Sequence, residues 1–206
     1  MKKVTIEEIK TISPEILEYS NVKDAISVAN RIYPIHPCKI LFSLDESDLL
    51  SRVEVVLDHP TLYFTIMYRK YQKQYDIWCE SFQELKNSDY YTRSEIAKGM
   101  TEPNNIGVPT AKKIGDWIKY YEELYAKVKK IDDENGEKKE KFLKSLEGLD
   151  VKWDRDKSGG WIVKNHMKYE FNIGVTYITE RIEVDYTASN NLETFLKLSD
   201  NGYKSK

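Results

Sequence analysis

The side chains best placed to do chemistry are a set of cations with one hydroxyl among them: Arg93, Lys98, Thr110, Lys112, Lys113 and Lys119. Lysine and arginine spaced along helices neutralise phosphates, and a threonine hydroxyl ahead of such a run satisfies a helix N-terminus. Other combinations lead nowhere as catalysts. His36, Cys38, His59, Cys79 and His166 share no zinc-ligand spacing. Glu8-Ile9-Lys10 and Glu84-Leu85-Lys86 have the tripeptide form of some nuclease sites, but each falls in a predicted helix without an acidic partner on a strand. Acid pairs such as Glu122-Glu123 and Asp132-Asp133 point to different sides of a helix and do not converge on one substrate. Phosphate-loop, nucleophile-elbow, dinucleotide and zinc-protease motifs are absent. The sequence therefore assigns no catalytic residue, no metal ligand and no cofactor.

The cations belong to residues 92–118, which resemble a degenerate helix-turn-helix. Thr92 to Met100 is similar to its scaffold helix, with Glu95, Ile96 and Ala97 in the usual order. Pro109 to Ile118 is similar to its recognition helix, capped by Thr110, with Ile114 and Trp117 facing inward. The resemblance implies that Lys112, Lys113 and Lys119 face a DNA groove while Arg93 and Lys98 approach phosphates. The stretch from Thr101 to Pro109 is longer than the three or four residues of a tight turn, and Asp116 on the exposed face would repel phosphate. Asp154-Arg155-Asp156-Lys157-Ser158-Gly159 resembles the first half of a calcium loop, but Asn165 stands where a bidentate glutamate is needed, so a polar hairpin loop is the expectation there.

Charge and composition bound the rest. The 206-residue chain has a net charge of -2, so no overall basicity recommends nucleic acid. Residues 60–130 are the basic part, with 12 Lys and Arg against 9 Asp and Glu, and they contain the motif. Fifteen tyrosines and 40% hydrophobic residues point to a folded protein, and tyrosine suits interfaces by combining apolar area with a polar tip. No apolar run has the length of a membrane span or signal peptide, and Cys38 and Cys79 form no disulfide framework, so a cytoplasmic location without a membrane partner is expected.

Periodicity supplies the elements. Thr5 with Glu8 makes a capping box, Ser13-Pro14 opens a second helix, and Asn21 opens a third with Val22, Ala25, Ile26, Ala29 and Ile32 as its stripe. Lys39 to Leu44 is a short strand or a buried connection. Spacing predicts a helix over Leu49 to Leu57 and a long central helix from Pro60 to about Lys86, with a strand as the rival over Thr61 to Tyr68. The helix after Thr110 should stop at Asn135-Gly136, and a short one with Phe142, Leu143 and Leu146 inward should end at Gly148. Beyond Leu149 alternation predicts four strands, a turn at Asn165-His166, a Trp153–Trp161 cross-strand pair, and a last helix capped by Asn190 or Asn191.

The expected fold is α+β: a mainly helical domain over 1–148 and a small antiparallel β-meander with a short helix over 149–206. The expected function is a non-enzymatic, nucleic-acid-associated regulator, commonly a homodimer at this size. The alternative is a protein–protein interaction factor, such as a phage-encoded inhibitor of a host defence nuclease or an immunity-type protein.

Overall fold

The computed structural model describes residues 2–200 apart from Asp48, Glu102, Asn104, 165–166, 185–186 and 190–191. After strand β1 (Lys2–Thr5), Thr5 caps helix α1 (Ile6–Ile12). Its backbone N–H donates to Glu8 Oε2 at 2.7 Å, and Glu8 N–H returns a bond to Thr5 Oγ1 at 3.4 Å, completing the capping box. A 3₁₀ turn at Pro14–Glu18 leads into α2 (Ser20–Ile32), which buries Val22, Ala25, Val28, Ala29 and Ile32 along one side.

Strands β2 (Cys38–Leu44), β3 (Leu50–Leu57), β4 (Phe64–Arg69) and β5 (Gln74–Cys79) follow. A 3₁₀ turn at Glu80–Glu84 and helix α3 (Tyr90–Lys98) precede the two-residue strand β6 (Asn105–Ile106). These strands make one antiparallel sheet in sequence order, β1-β2-β3-β4-β5-β6. Val4, Ile9, Ile16, Val22, Phe42 and Leu44 form a core cluster between its first two strands and the helical segments that join them.

This sheet overturns the expected helical body over 1–148. The predicted helix at Leu49 to Leu57 is β3, and the predicted central helix at Pro60 to Lys86 is the β4–β5 hairpin. The reasons are local. Val55, Val56 and Leu57 are buried in succession, which fits a strand enclosed on both faces and not a helix stripe. Across 64–78 the residues are strong β-formers, Phe64, Thr65, Ile66, Tyr75, Ile77 and Trp78, and an Arg69-to-Gln74 polar stretch separates them. Tyr71, whose place in the apolar spacing supported the helix expected there, is fully exposed in the hairpin turn, and Lys73 there adopts a left-handed φ of 51°. Spacing by threes and fours arose from two alternating strands and the turn between them.

The chain then enters α4 (Ala111–Ser145), a single helix of 35 residues. It does not stop at Asn135-Gly136. Asp132, Asn135, Gly136 and Lys139 share one helical face, and that face holds Asn87. Asn87 donates its backbone N–H to Asp132 Oδ1 at 2.5 Å, and its carbonyl accepts from Asn135 Nδ2 at 2.8 Å. Lys139 Nζ donates to Asn87 Oδ1 at 3.0 Å. A Cβ at position 136 would sit 3.0 Å from Asn87 Nδ2, so glycine here admits a close neighbour and does not end a helix.

The remaining strands, β7 (Lys152–Trp153), β8 (Gly159–Lys164), β9 (Met167–Ile173), β10 (Ile178–Val184) and β11 (Thr187–Ser189), form a second antiparallel sheet ordered β11-β10-β9-β8-β7. The fold is therefore two antiparallel sheets with a long helix between them in sequence, in place of a helical body carrying one C-terminal meander. Tyr169, Phe171 and Ile182 pack with Phe142 and Leu146 and with Phe195 of α5 (Leu192–Asp200). Trp153 pairs with Gly160 and not with Trp161, and its ring meets Phe171 edge-on at 5.3 Å. The expected turn at Asn165-His166 and the caps Asn190 and Asn191 lie outside the described residues.

Contacts divide the chain into two compact units, residues 1–85 with 93–127, and residues 86–92 with 128–206. The division falls inside α4. Within the second unit, Asp132→Ala removes a buried acceptor and leaves the Asn87 N–H unpaired. It should destabilise that unit by about 1–3 kcal/mol, measured by denaturant unfolding followed at Trp153 and Trp161; an unchanged transition would show that the Asn87 clasp contributes nothing.

Candidate binding groove on the long helix

The predicted site residues separate into two groups. Thr110 caps α4 as expected: its hydroxyl accepts from Lys113 N–H at 3.2 Å and its carbonyl from Ile114 N–H at 2.9 Å. Ile114 and Trp117 are buried, which turns Lys112, Lys113 and Lys119 outward to solvent. Arg93 is half-buried and donates Nη2–H to the Leu85 carbonyl at 3.3 Å, with its guanidinium 5.9 Å from the Phe82 ring centre. Its charge is used to hold α3 against the 3₁₀ turn. Lys98 is exposed in the last turn of α3.

Between α3 and α4 the chain is not a plain turn. β6 pairs Asn105 with Asp76 and Ile106 with Tyr75, so the connection adds a strand to the sheet edge. Gly99, Met100, Thr101, Pro103 and Ile106, with the first turns of α4, line a groove of about 550 Å³. Met100, Pro103, Ile106 and Tyr120 contribute apolar surface to it. Along its helical wall stand Lys113, Asp116, Lys119, Glu123 and Lys127, one charge per turn and each opposite in sign to the last. Lys119 Nζ lies 3.9 Å from Glu123 Oε1. Lys113 and Lys119 thus share the groove, whereas Arg93, Lys98 and Lys112 do not line it.

On the sheet, sequence reasoning missed a charged network assembled from four segments. Glu54 of β3 is buried and gathers Lys3 Nζ at 3.3 Å, Arg52 Nε at 2.6 Å and the Tyr63 hydroxyl at 2.8 Å. Arg52 Nη2 also meets Glu80 Oε1 at 2.5 Å, and Thr65 donates to the same oxygen at 3.1 Å. Lys3 lies 4.5 Å over the Tyr63 ring. The available signal was Arg52-x-Glu54 within an alternating strand, hidden once the segment is read as a helix. Two acids balance two bases, so the network ties β1, β3 and the segment after β5 together without offering net charge.

The metal and redox candidates stay separate. Among the described residues no three His, Cys, Asp or Glu side chains gather as a metal site. Asp156 of the calcium-like loop spends its carboxylate on the Ser158 N–H and hydroxyl, at 3.2 and 2.8 Å, which holds its pKa below the usual range. Cys38 and Cys79 are free thiols whose pKa burial raises. His59 accepts from Leu62 N–H through Nδ1 at 3.0 Å, which leaves Nε2–H to donate to Glu122 at 3.1 Å. Among the described residues no helix is long and apolar enough to cross a membrane.

The Glu54 network generates two expectations. Glu54→Ala should cost about 3 kcal/mol, the low end for a broken buried pair because Lys3 and Arg52 remain half in solvent; a cost below measurement error would remove the network from the account. The second concerns alkaline pH. The hydrogen bond that Lys3 donates to the Tyr63 hydroxyl raises the Lys3 pKa above its ordinary 10.5, and burial raises that of Tyr63 above 10.0. Both groups favour the fold while protonated, so this stability is present at neutral pH and is lost as pH rises through and above about 10. Tyr63→Phe removes one titrating group and the main cause that raises the other, so it should flatten that alkaline loss in unfolding curves; an unaltered slope would contradict the assignment.

Compared with known protein families, curated proteins and solved structures, the chain shows no significant match in any of the three.

Proposed function

We propose that the protein is a non-enzymatic interaction factor that docks a segment of another protein in the groove along α4. The observation that carries this reading is the alternation of charge along the groove: Lys113, Asp116, Lys119, Glu123 and Lys127 change sign at every turn. A helix that reads DNA gains its affinity by neutralising consecutive phosphates, and two carboxylates among three lysines oppose that. A protein segment can carry the complementary series. Alternating ion pairs then fix register and exclude wrong partners, while the apolar surface of Met100, Pro103, Ile106 and Tyr120 supplies the area that is dried on binding. The inhibitor and immunity-type proteins considered from sequence work in this way, by occupying a partner without chemistry.

The DNA reading keeps one supporting observation, the outward set of Lys112, Lys113 and Lys119 at a capped helix start.

A photo-crosslinking amino acid in place of Lys127 should give a discrete protein adduct in extracts of the source cell, and nuclease treatment should not alter it. Reversing Lys113→Glu and Lys119→Glu together should reduce the adduct about tenfold or more, the scale of one or two mispaired charges. An adduct that disappears with nuclease, or one indifferent to the reversal, would defeat the proposal.

A further inference from the structure

The six-stranded sheet opens along one seam. β3 and β4 pair only at Val55 with Ile66 and at Val56 with Thr65. Past that point β3 stays paired with β2 as far as Leu50, and β4 stays paired with β5 as far as Arg69. Among the described residues no backbone hydrogen bond joins Arg52–Glu54 to Met67–Arg69. The two strands fork, and a pocket of about 330 Å³ occupies the fork.

Ala25 and Val28 of α2 line it together with Val53 and Val55 on one strand and Ile66 and Tyr68 on the other. The charged groups at its rim have partners elsewhere. Asp24 is paired with Lys70 Nζ at 2.6 Å, Asn21 Oδ1 accepts from Val22 N–H at 3.0 Å, and Arg52 is engaged by Glu54 and Glu80. What the fork leaves without cross-strand partners are the facing main-chain edges of the two strands. Backbone N–H and C=O groups require hydrogen bonds, from water or from a ligand.

These features define an occupant. A charged ligand would find no uncommitted countercharge at the rim. An aliphatic one would leave the strand edges dry and unpaired, which is costly. A flat ring with donors and acceptors around its edge answers both, because it can lie in the plane of the sheet and bond to each strand while its face rests on Ala25 and Val28. The volume is near the lower end of ligand pockets, about 300–1,000 Å³, which suits one fused ring system without a large appendage. We propose that the β3–β4 fork binds a planar, uncharged heteroaromatic ring with edge donors and acceptors, the chemistry of a nucleobase.

The test uses the full chain with ¹³C-labelled Ala, Val and Ile methyls, titrated with adenine and, separately, with toluene as a ring of apolar edge. Adenine should shift Ala25, Val28, Val53, Val55 and Ile66 saturably. It should also bind about tenfold more tightly than toluene, the value of one or two net hydrogen bonds. No adenine shift at these methyls up to its solubility overturns the site, and equal affinity for the two rings overturns the part assigned to the strand edges. Val28→Phe fills the pocket and should abolish the shifts; a folded Val28→Phe protein with undiminished adenine binding overturns the location. If that variant fails to fold, Val28→Leu takes its place, with weakened binding expected and unweakened binding counting against the location.

Discussion

The groove depends on how α4 is fastened to the first sheet. The hydroxyl of Tyr121 donates to the backbone carbonyl of Ile77 at 3.1 Å in a buried setting, and the Tyr121 ring meets Phe64 and Phe82 edge-on at 5.9 and 6.4 Å. Trp117 and Ile114, one and two turns earlier, are buried on the same side. Each such side chain contributes about 1.5–3 kcal/mol by leaving water. With three successive turns buried along one side, the opposite side of the helix is fixed by its 3.6-residue period. Lys113, Asp116, Lys119 and Glu123 are therefore presented in a set order and not sampled by a mobile segment.

The same helix shows a local sequence signal giving way to a tertiary one. Asn-Gly is ordinarily a stop, since both residues favour turns over helix interiors. At Asn135-Gly136 the side chain of the first residue and the missing side chain of the second are used to hold Asn87. The helical hydrogen bonds continue because the polar groups that would compete with them are occupied by a neighbour.

Legibility in the sequence followed the range of the forces involved. The capping box at Thr5 and Glu8, the α2 stripe, the Thr110 cap and the inward Ile114 and Trp117 were readable because each depends on residues within one or two turns. The β3 and β4–β5 segments were not. Their apolar residues suit a helix stripe and a doubly buried strand about equally, and only pairing across the sheet decides between them. The polar stretch from Arg69 to Gln74 was the local clue to a hairpin, and Tyr71 inside it masked that clue by completing an apolar series. Of the candidate site, the identity and outward direction of Lys112, Lys113 and Lys119 were legible. That Arg93 is used internally, that β6 joins the sheet edge and that Lys127 completes an alternating series all depend on contacts from distant parts of the chain.

The nucleic-acid reading and the protein reading share Lys113 and Lys119, and they differ in what the intervening carboxylates do. If Asp116 and Glu123 are part of the recognition code, the groove selects a protein segment; if they are incidental, the lysines remain free to gather phosphates. The deciding measurement is fluorescence anisotropy of a labelled mixed-sequence duplex with the intact chain at about 50 mM salt, where phosphate contacts are strong. The account predicts no saturable binding. Saturable binding that weakens steeply with added salt and is abolished by Lys112→Glu, Lys113→Glu and Lys119→Glu together would contradict it.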